Sequence, residues 1–154
     1  MTPPPARSAG QRKKDTLHRL ENDVDAWVAT AGPDGAAPHL VPLSFVWDGT
    51  ALLIATPAES PTGRNLVATG RARLGIGTTR DVVLVDGAVR AVTPEDLPEE
   101  DAEVFAGKTG FDPRQLAAPH LYFVVIPQRI QAWREENELR GRELMRDGEW
   151  LAAD

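Results

Sequence analysis

The apolar runs in this chain are short and end in Pro, Gly or charge. Gly32-Pro33-Asp34-Gly35, Asp48-Gly49, Asp86-Gly87 and Asp147-Gly148 put glycine beside aspartate or proline, the chemistry of tight turns with positive φ. The runs between them are short and rich in β-branched residues, so they read as strands. AWVATA (26–31), HLVPLSFVW (39–47) and ALLIAT (51–56) predict a three-stranded antiparallel meander. RARLGIGT (71–78), DVVLVDGAVRAV (81–92, bent or paired around Asp86-Gly87) and HLYFVVIPQRIQAWR (120–134, interrupted by Pro127) follow. RELMRDGEWL closes the chain as a hairpin around Asp147-Gly148.

Helices are few. Leu17, Leu20 and Val24 recur at helical spacing over Gln11–Val24. Ser60 as N-cap, Pro61 at the first helical position and Gly70 as terminator frame a second helix. Thr93-Pro94-Glu95-Asp96 opens an acidic third helix that runs to about Gly107. Strands and helices do not alternate, which excludes a doubly wound sheet. The pattern predicts a mainly β protein of six or seven antiparallel strands, a small barrel with helices at its rim. At 154 residues this is one domain, 11–154, after a disordered lead-in of Pro, Ala, Ser and Gly at 1–10.

Charge and composition exclude several functions. Residues 1–19 carry five basic side chains and one acidic, +4, so the other 135 residues carry −10 against a total of −6. A body that acidic repels a phosphate backbone and argues against nucleic-acid binding. The basic start reads as solvated. There is no cysteine, so disulfides, thiolate zinc sites and thiol nucleophiles are all excluded. His18, His39 and His120 are too far apart in sequence for a helical metal pair, and no metal site is expected. No run is long enough to span a bilayer, and TPPPARSAG lacks the apolar core of a secretory signal, so the expected location is the cytoplasm.

Self-sufficient catalysis finds little support. None of the serines lies in a G-x-S-x-G elbow, Gly75-Ile76-Gly77 lacks the third glycine of a dinucleotide fingerprint, and the acidic clusters Glu95–Glu103 and Glu135–Glu138 read as solvated faces. No catalytic residue is assigned. An enzyme built on this chain needs a cofactor to carry its chemistry.

One stretch has the makings of a binding site. In Glu59-Ser60-Pro61-Thr62-Gly63-Arg64-Asn65-Leu66 the helix start offers free N–H groups and a positive dipole end. Ser60 and Thr62 add hydroxyls, Arg64 can grip a phosphate with two N–H groups, and Gly63 lets an anion approach the backbone. The same residues also fit an ordinary capped helix with a surface arginine.

The order of WVATAGPDGAAPHLVPLSFVWDG (27–49), LLIATPAESPTGRNL (52–66), DVVLVDGAV (81–89) and PQRIQAWREENELRGRELMRDGEW (127–150) resembles the split β-barrel superfamily of pyridoxamine 5′-phosphate oxidase. That superfamily includes other FMN-binding proteins and the oxidoreductases that use the deazaflavin coenzyme F420. The resemblance implies a homodimer with the cofactor at its interface. It places Val41, Pro42, Leu43 and Ser44 beside the ring, and Thr56, Ser60, Thr62, Arg64 and Asn65 around the phosphate. Asp81 and Val82 would border the ring's polar edge, and Trp133 matches the tryptophan of an I-x-x-W segment.

Arg140 and Arg142 resemble the oxidase's R-x-H pair and become candidate substrate contacts. Arg142 replaces the histidine and one residue is inserted before Arg140, which disfavours a pyridoxal-type phosphate as substrate. Thr62 stands where deazaflavin members often have lysine, yet R-N-L is more typical of that branch, so FMN and F420 both remain open. Trp27 and Trp47 read as core or dimer-contact residues, and Trp150 as an interface or lid residue. The expected activity is hydride transfer between cofactor and a small organic substrate. The alternative is a non-enzymatic flavin or tetrapyrrole carrier or sensor.

Overall fold

The protein folds around the faces of its own strands. In β1 (Asp25–Ala31), Ala26, Val28 and Thr30 turn inward while Trp27 stands 53% exposed. This alternation is what a strand with one buried face requires. In the computed structural model, which describes residues 2–153, β1 pairs antiparallel with β2 (Pro38–Ser44) through a turn containing Asp34 and Gly35 at positive φ. Two residues, Val46–Trp47, form β3, which pairs with β4 (Leu52–Pro57) across the Asp48-Gly49 turn. Asp48 Oδ1 accepts from the Thr50 and Ala51 N–H groups and from the Thr50 hydroxyl, fixing that turn.

After helix α2 (Pro61–Thr69) come β5 (Arg71–Thr78), β6 (Asp81–Val92), helix α3 (Glu99–Thr109) and the long β7 (His120–Trp133). The spatial order is β2-β1-β5-β6-β7-β4-β3, an antiparallel sheet curled into a half-barrel, with the hairpin β8 (Glu143–Arg146) and β9 (Glu149–Trp150) on β7. Leu52, Ile54, Leu74, Ile76, Val85, Phe123, Val125 and Ile130 form the core inside the curl. A second, smaller cluster of Phe105, Tyr122, Leu97 and Val92 seats α3 on the outer wall.

Several expectations are corrected. The run 39–47 is two strands, because Phe45 is fully buried and its N–H turns to Val24 O, rotating the chain by a corner. The predicted meander is therefore broken: β4 takes β7 as its main partner. Pro127 does not interrupt β7. A register shift sets Gly87 against Pro127 and Asp86 against Arg129, so Gln128 is the extra residue of a bulge that absorbs the missing donor. Gly87 is required there, since a Cβ would overlap Val125.

The acidic helix starts later than Thr93: a turn on the Thr93 carbonyl comes first, and Pro98 restarts the chain into Glu99–Thr109. Helix α1 spans Ala9–Asn22, capped by the Ser8 hydroxyl, so Ser8, Ala9 and Gly10 belong to a helix rather than a disordered lead-in. Leu20 of the predicted stripe is fully buried and Leu17 packs on the core, but Val24 lies beyond the helix, and Arg12, Lys13 and Thr16 share the buried face. The basic segment is not simply solvated. Arg12 gives Nη1 to the Ala132 and Glu138 carbonyls, and Arg7 clasps Glu138 with Nε and Nη2 at 2.9 and 2.7 Å.

No described helix is long and apolar enough to cross a membrane. Among the described residues no group of three His, Asp or Glu side chains is placed to hold a metal ion.

Candidate cofactor site

Helix α2 is built as its sequence requires. The Ser60 hydroxyl accepts from the Gly63 N–H at 3.0 Å and donates to the Pro57 carbonyl at 2.8 Å. Thr56, at the end of β4, donates its hydroxyl to Ser60 across 3.2 Å. Ser60 thus has its proton and both lone pairs engaged, and its role in this arrangement is the helix cap.

Gly63 does not open the backbone to an anion. A Cβ there would meet the Pro57 carbonyl and lie 2.8 Å from Ala58 O, so the bare glycine lets the helix seat against the turn before it. Asn65 donates to Thr30 Oγ1 at 3.2 Å and ties α2 to β1. Thr62 is buried, while Arg64 is exposed with no side-chain partner among the described residues. The free elements for an anion are therefore the Arg64 guanidinium and the positive end of the helix.

The β2 candidates divide by parity. Val41 and Leu43 are partly buried and pack against the core. Pro42 is exposed opposite Trp27, and the Ser44 hydroxyl donates to Asp25 at 2.7 Å. What β2 can offer a ligand is an outer edge with unpaired backbone groups, less the N–H that Pro42 lacks.

The remaining candidates lie elsewhere. Thr56 pairs with Leu121 at the start of β7, whereas Val82 pairs with Trp133 at its end. Twelve residues of strand separate them, about 40 Å along the chain. Trp133 and Arg142 do meet: the guanidinium lies 6.0 Å from the indole ring and bonds to Gln131 Oε1 and Leu139 O. Arg140 is exposed beside them, with no side-chain partner among the described residues. Trp150 packs on the core under the Lys13 ammonium.

Asp81 is already engaged, with Arg19 at 2.9 Å and Arg134 at 3.3 Å. Sequence reasoning missed the ladder this begins. Arg134 reaches Asp15, Asp15 holds Arg7, and Arg7 holds the buried Glu138. The Arg7 guanidinium, with help from two backbone N–H groups, lowers the Glu138 carboxyl to about 2 despite its burial. The one available signal was Gly77, where a Cβ would overlap the Arg19 guanidinium.

A family model described as pyridoxamine 5′-phosphate oxidase matches residues 17–134, and the chain belongs to that family. Solved structures agree on the fold. An F420 reductase is 21% identical, with a TM-score of 0.59 over 73% of this chain and 93% of its own. A Clostridium acetobutylicum protein of the pyridoxinephosphate oxidase family, related to general stress protein 26, is 12% identical, with a TM-score of 0.64 over 84% and 92%. Atu2129 of Agrobacterium tumefaciens, of unknown function, is 13% identical, with a TM-score of 0.68 over 93% and 64%. No curated protein matches the chain.

Proposed function

We propose that two copies of this chain bind FMN or coenzyme F420 between them and act as a cytoplasmic oxidoreductase on a small organic substrate. The carrying observation is the separation along β7. The phosphate candidates around α2 and the candidates at Val82, Trp133 and Arg142 stand at opposite ends of one strand, so a single chain does not bring them to one ligand. A partner that supplies the far end from its own β7 would unite them. The exposed side chains of Trp27, Leu40 and Pro42 form an apolar outer face on β1 and β2 suited to that contact.

The residues fit an anionic flavin-type group in part. Arg64 and the α2 dipole hold the phosphate, Ser60 and Thr56 keep the helix start rigid, and the β2 edge offers backbone groups to the ring. Trp133 with Arg142 covers the substrate side, the arginine orienting an acidic or carbonyl-bearing substrate. The bound cofactor supplies hydride chemistry that none of these side chains can perform. Asp81 acts through Arg19 and Arg134, orienting the end of β7 rather than touching the ring.

Titrating the cofactor-free protein with FMN and with F420, followed by fluorescence, tests this reading. Micromolar or tighter binding of either, with a dimeric mass in solution, is expected. Binding of neither overturns it. Binding without turnover of the reduced cofactor by any acceptor leaves the carrier or sensor alternative.

A further inference from the structure

Between α3 and the outer side of β3 and β4 lies a cavity of about 250 Å³. Its wall is mostly aliphatic, with Leu53, Leu97, Val104 and Val124 among the lining residues, and Trp47 is the one aromatic side chain there. The register explains the grouping: Trp47 opposes Leu52 across the β3–β4 hairpin, and Leu53 opposes Val124 on β7. Asp101 and Val104, three residues apart on α3, close the cavity from one face of the helix. Val104 is 56% exposed, apolar surface that the fold itself leaves uncovered.

The charge of the wall has one sign. Asp48 and Asp101 line the cavity, and no lysine, arginine or histidine does among the described residues. Asp101 has no side-chain partner among the described residues, and the positive end of α3 favours its ionised form. Asp48 accepts only from Thr50 and Ala51, neutral donors of its own turn. Burial opposes its charge, but those hydrogen bonds outweigh burial and lower its carboxyl from 3.8. Lys108, one turn beyond Val104, holds its Nζ over the Phe45 ring and bonds to neither carboxylate. A sphere of the cavity's volume is about 8 Å across, one Debye length at physiological salt, so a cation inside it feels both acids.

We propose that this cavity is a second ligand site, distinct from the α2 start, for a small organic cation: an aromatic or branched apolar body carrying one ammonium group. The body lies against Leu53, Val104 and Val124, and the ammonium group is held by Asp101 and Asp48. The volume is below the range of about 300–1,000 Å³ usual for drug-sized ligands, so the guest is small. None of the lining residues belongs to the α2 start, the C-terminal end of β7 or the outer face of β1 and β2. The site therefore stands whether or not the cofactor reading does.

Protein-observed NMR titration of the full chain at pH 7 tests the proposal, with 2-phenylethylammonium, 2-phenylethanol and ethylammonium as probes. The first carries both features, the second has the ring without the charge, and the third has the charge without the ring. 2-Phenylethylammonium should bind about two- to fivefold more tightly than the alcohol, the range that an exposed ion pair provides. Ethylammonium should bind about tenfold more weakly or worse, since it has no ring to bury. The double variant Asp48→Asn/Asp101→Asn should bring 2-phenylethylammonium to the level of the alcohol and leave the alcohol unchanged, because asparagine at position 48 still accepts the turn's N–H groups. Glu149→Gln, on exposed β9, removes an acid elsewhere and should change nothing. Shifts should fall on β3, β4, α3 and Val124. No binding of 2-phenylethylammonium, equal affinity for it and the alcohol, shifts on other elements, or affinity unmoved by the double variant each overturns the proposal. Retained binding of the alcohol by the double variant shows that its cavity is intact.

Discussion

The two ends of β7 treat charge in opposite ways. At its C-terminal end, Arg19, Asp81, Arg134, Asp15, Arg7 and Glu138 form a ladder in which each charge touches one of opposite sign. Toward its N-terminal end, around α2, the side chains of Arg64, Arg71 and Arg90 have no partner among the described residues. A paired, partly buried ladder fixes architecture, because removing one member strands the others. Unpaired cations at the surface do little for the fold and are available to a ligand. The contrast separates stability from binding along a single strand.

The largest test of that contrast is Glu138→Ala. It leaves the Arg7 guanidinium in a site where the carboxylate is 2% exposed, and should cost about 3–5 kcal/mol in chemical denaturation. The pH dependence follows from the same group. Its carboxyl lies at about 2 in the folded protein against 4.5 ordinarily, so its contribution is complete above 4.5 and disappears as pH falls from 4.5 toward 2. An acid-unfolding curve unchanged by Glu138→Gln would remove the ladder from the stability account.

At the other end Arg64→Ala should behave inversely. Cofactor affinity should weaken by about 1.5–3 kcal/mol while the melting temperature stays put. Equal affinity in the variant would take Arg64 out of the anion site. Gly63→Ala probes the helix seat beneath it, and overlap with the Pro57 and Ala58 carbonyls should cost about 1–3 kcal/mol of stability.

The smallest effect has the opposite sign. Lys108 Nζ is buried over the Phe45 ring with no hydrogen-bond partner among the described residues, and burial lowers its pKa from 10.5. The unfolded chain therefore holds that proton more tightly, and stability should rise with pH through the alkaline range below 10.5. Lys108→Met should stabilise the protein by about 1 kcal/mol and flatten that slope, as calorimetry at two pH values would read.

What the sequence made legible was local. The Asp48-Gly49 and Asp147-Gly148 turns, the Ser60 cap and the alternating faces of β1 and β5 follow from a few neighbouring residues, and the structure shows them. Phe45 shows why the rest was hidden. Nothing in HLVPLSFVW marks a corner, because the turn is made by burial of one ring and a bond to Val24, both set by the curl of the sheet. Pro127 misled for a similar reason: its missing donor is harmless only because the bulge at Gln128 falls between the stretches paired to β4 and β8. At the site, the contact of the Thr56 and Ser60 hydroxyls at 3.2 Å joins residues only four apart, short enough in sequence to be read locally. The engagement of Asp81 did not show, since its partners come from α1 and the end of β7, 62 and 53 residues away.

The Phe45 corner also constrains how the chain can be cut. Because β2 and β3 are consecutive yet sit at the two extremes of the strand order, one covalent bend carries the chain from the first edge of the sheet to the last. New termini between Ser44 and Val46 would untie both edge strands at once, letting their unpaired rows of backbone donors and acceptors fray toward any passing strand. New termini at the Asp147-Gly148 turn would sever only the short β8–β9 hairpin. Circular permutants opened at these two places should therefore differ first in solubility, with aggregation marking the one that unhooks the bend.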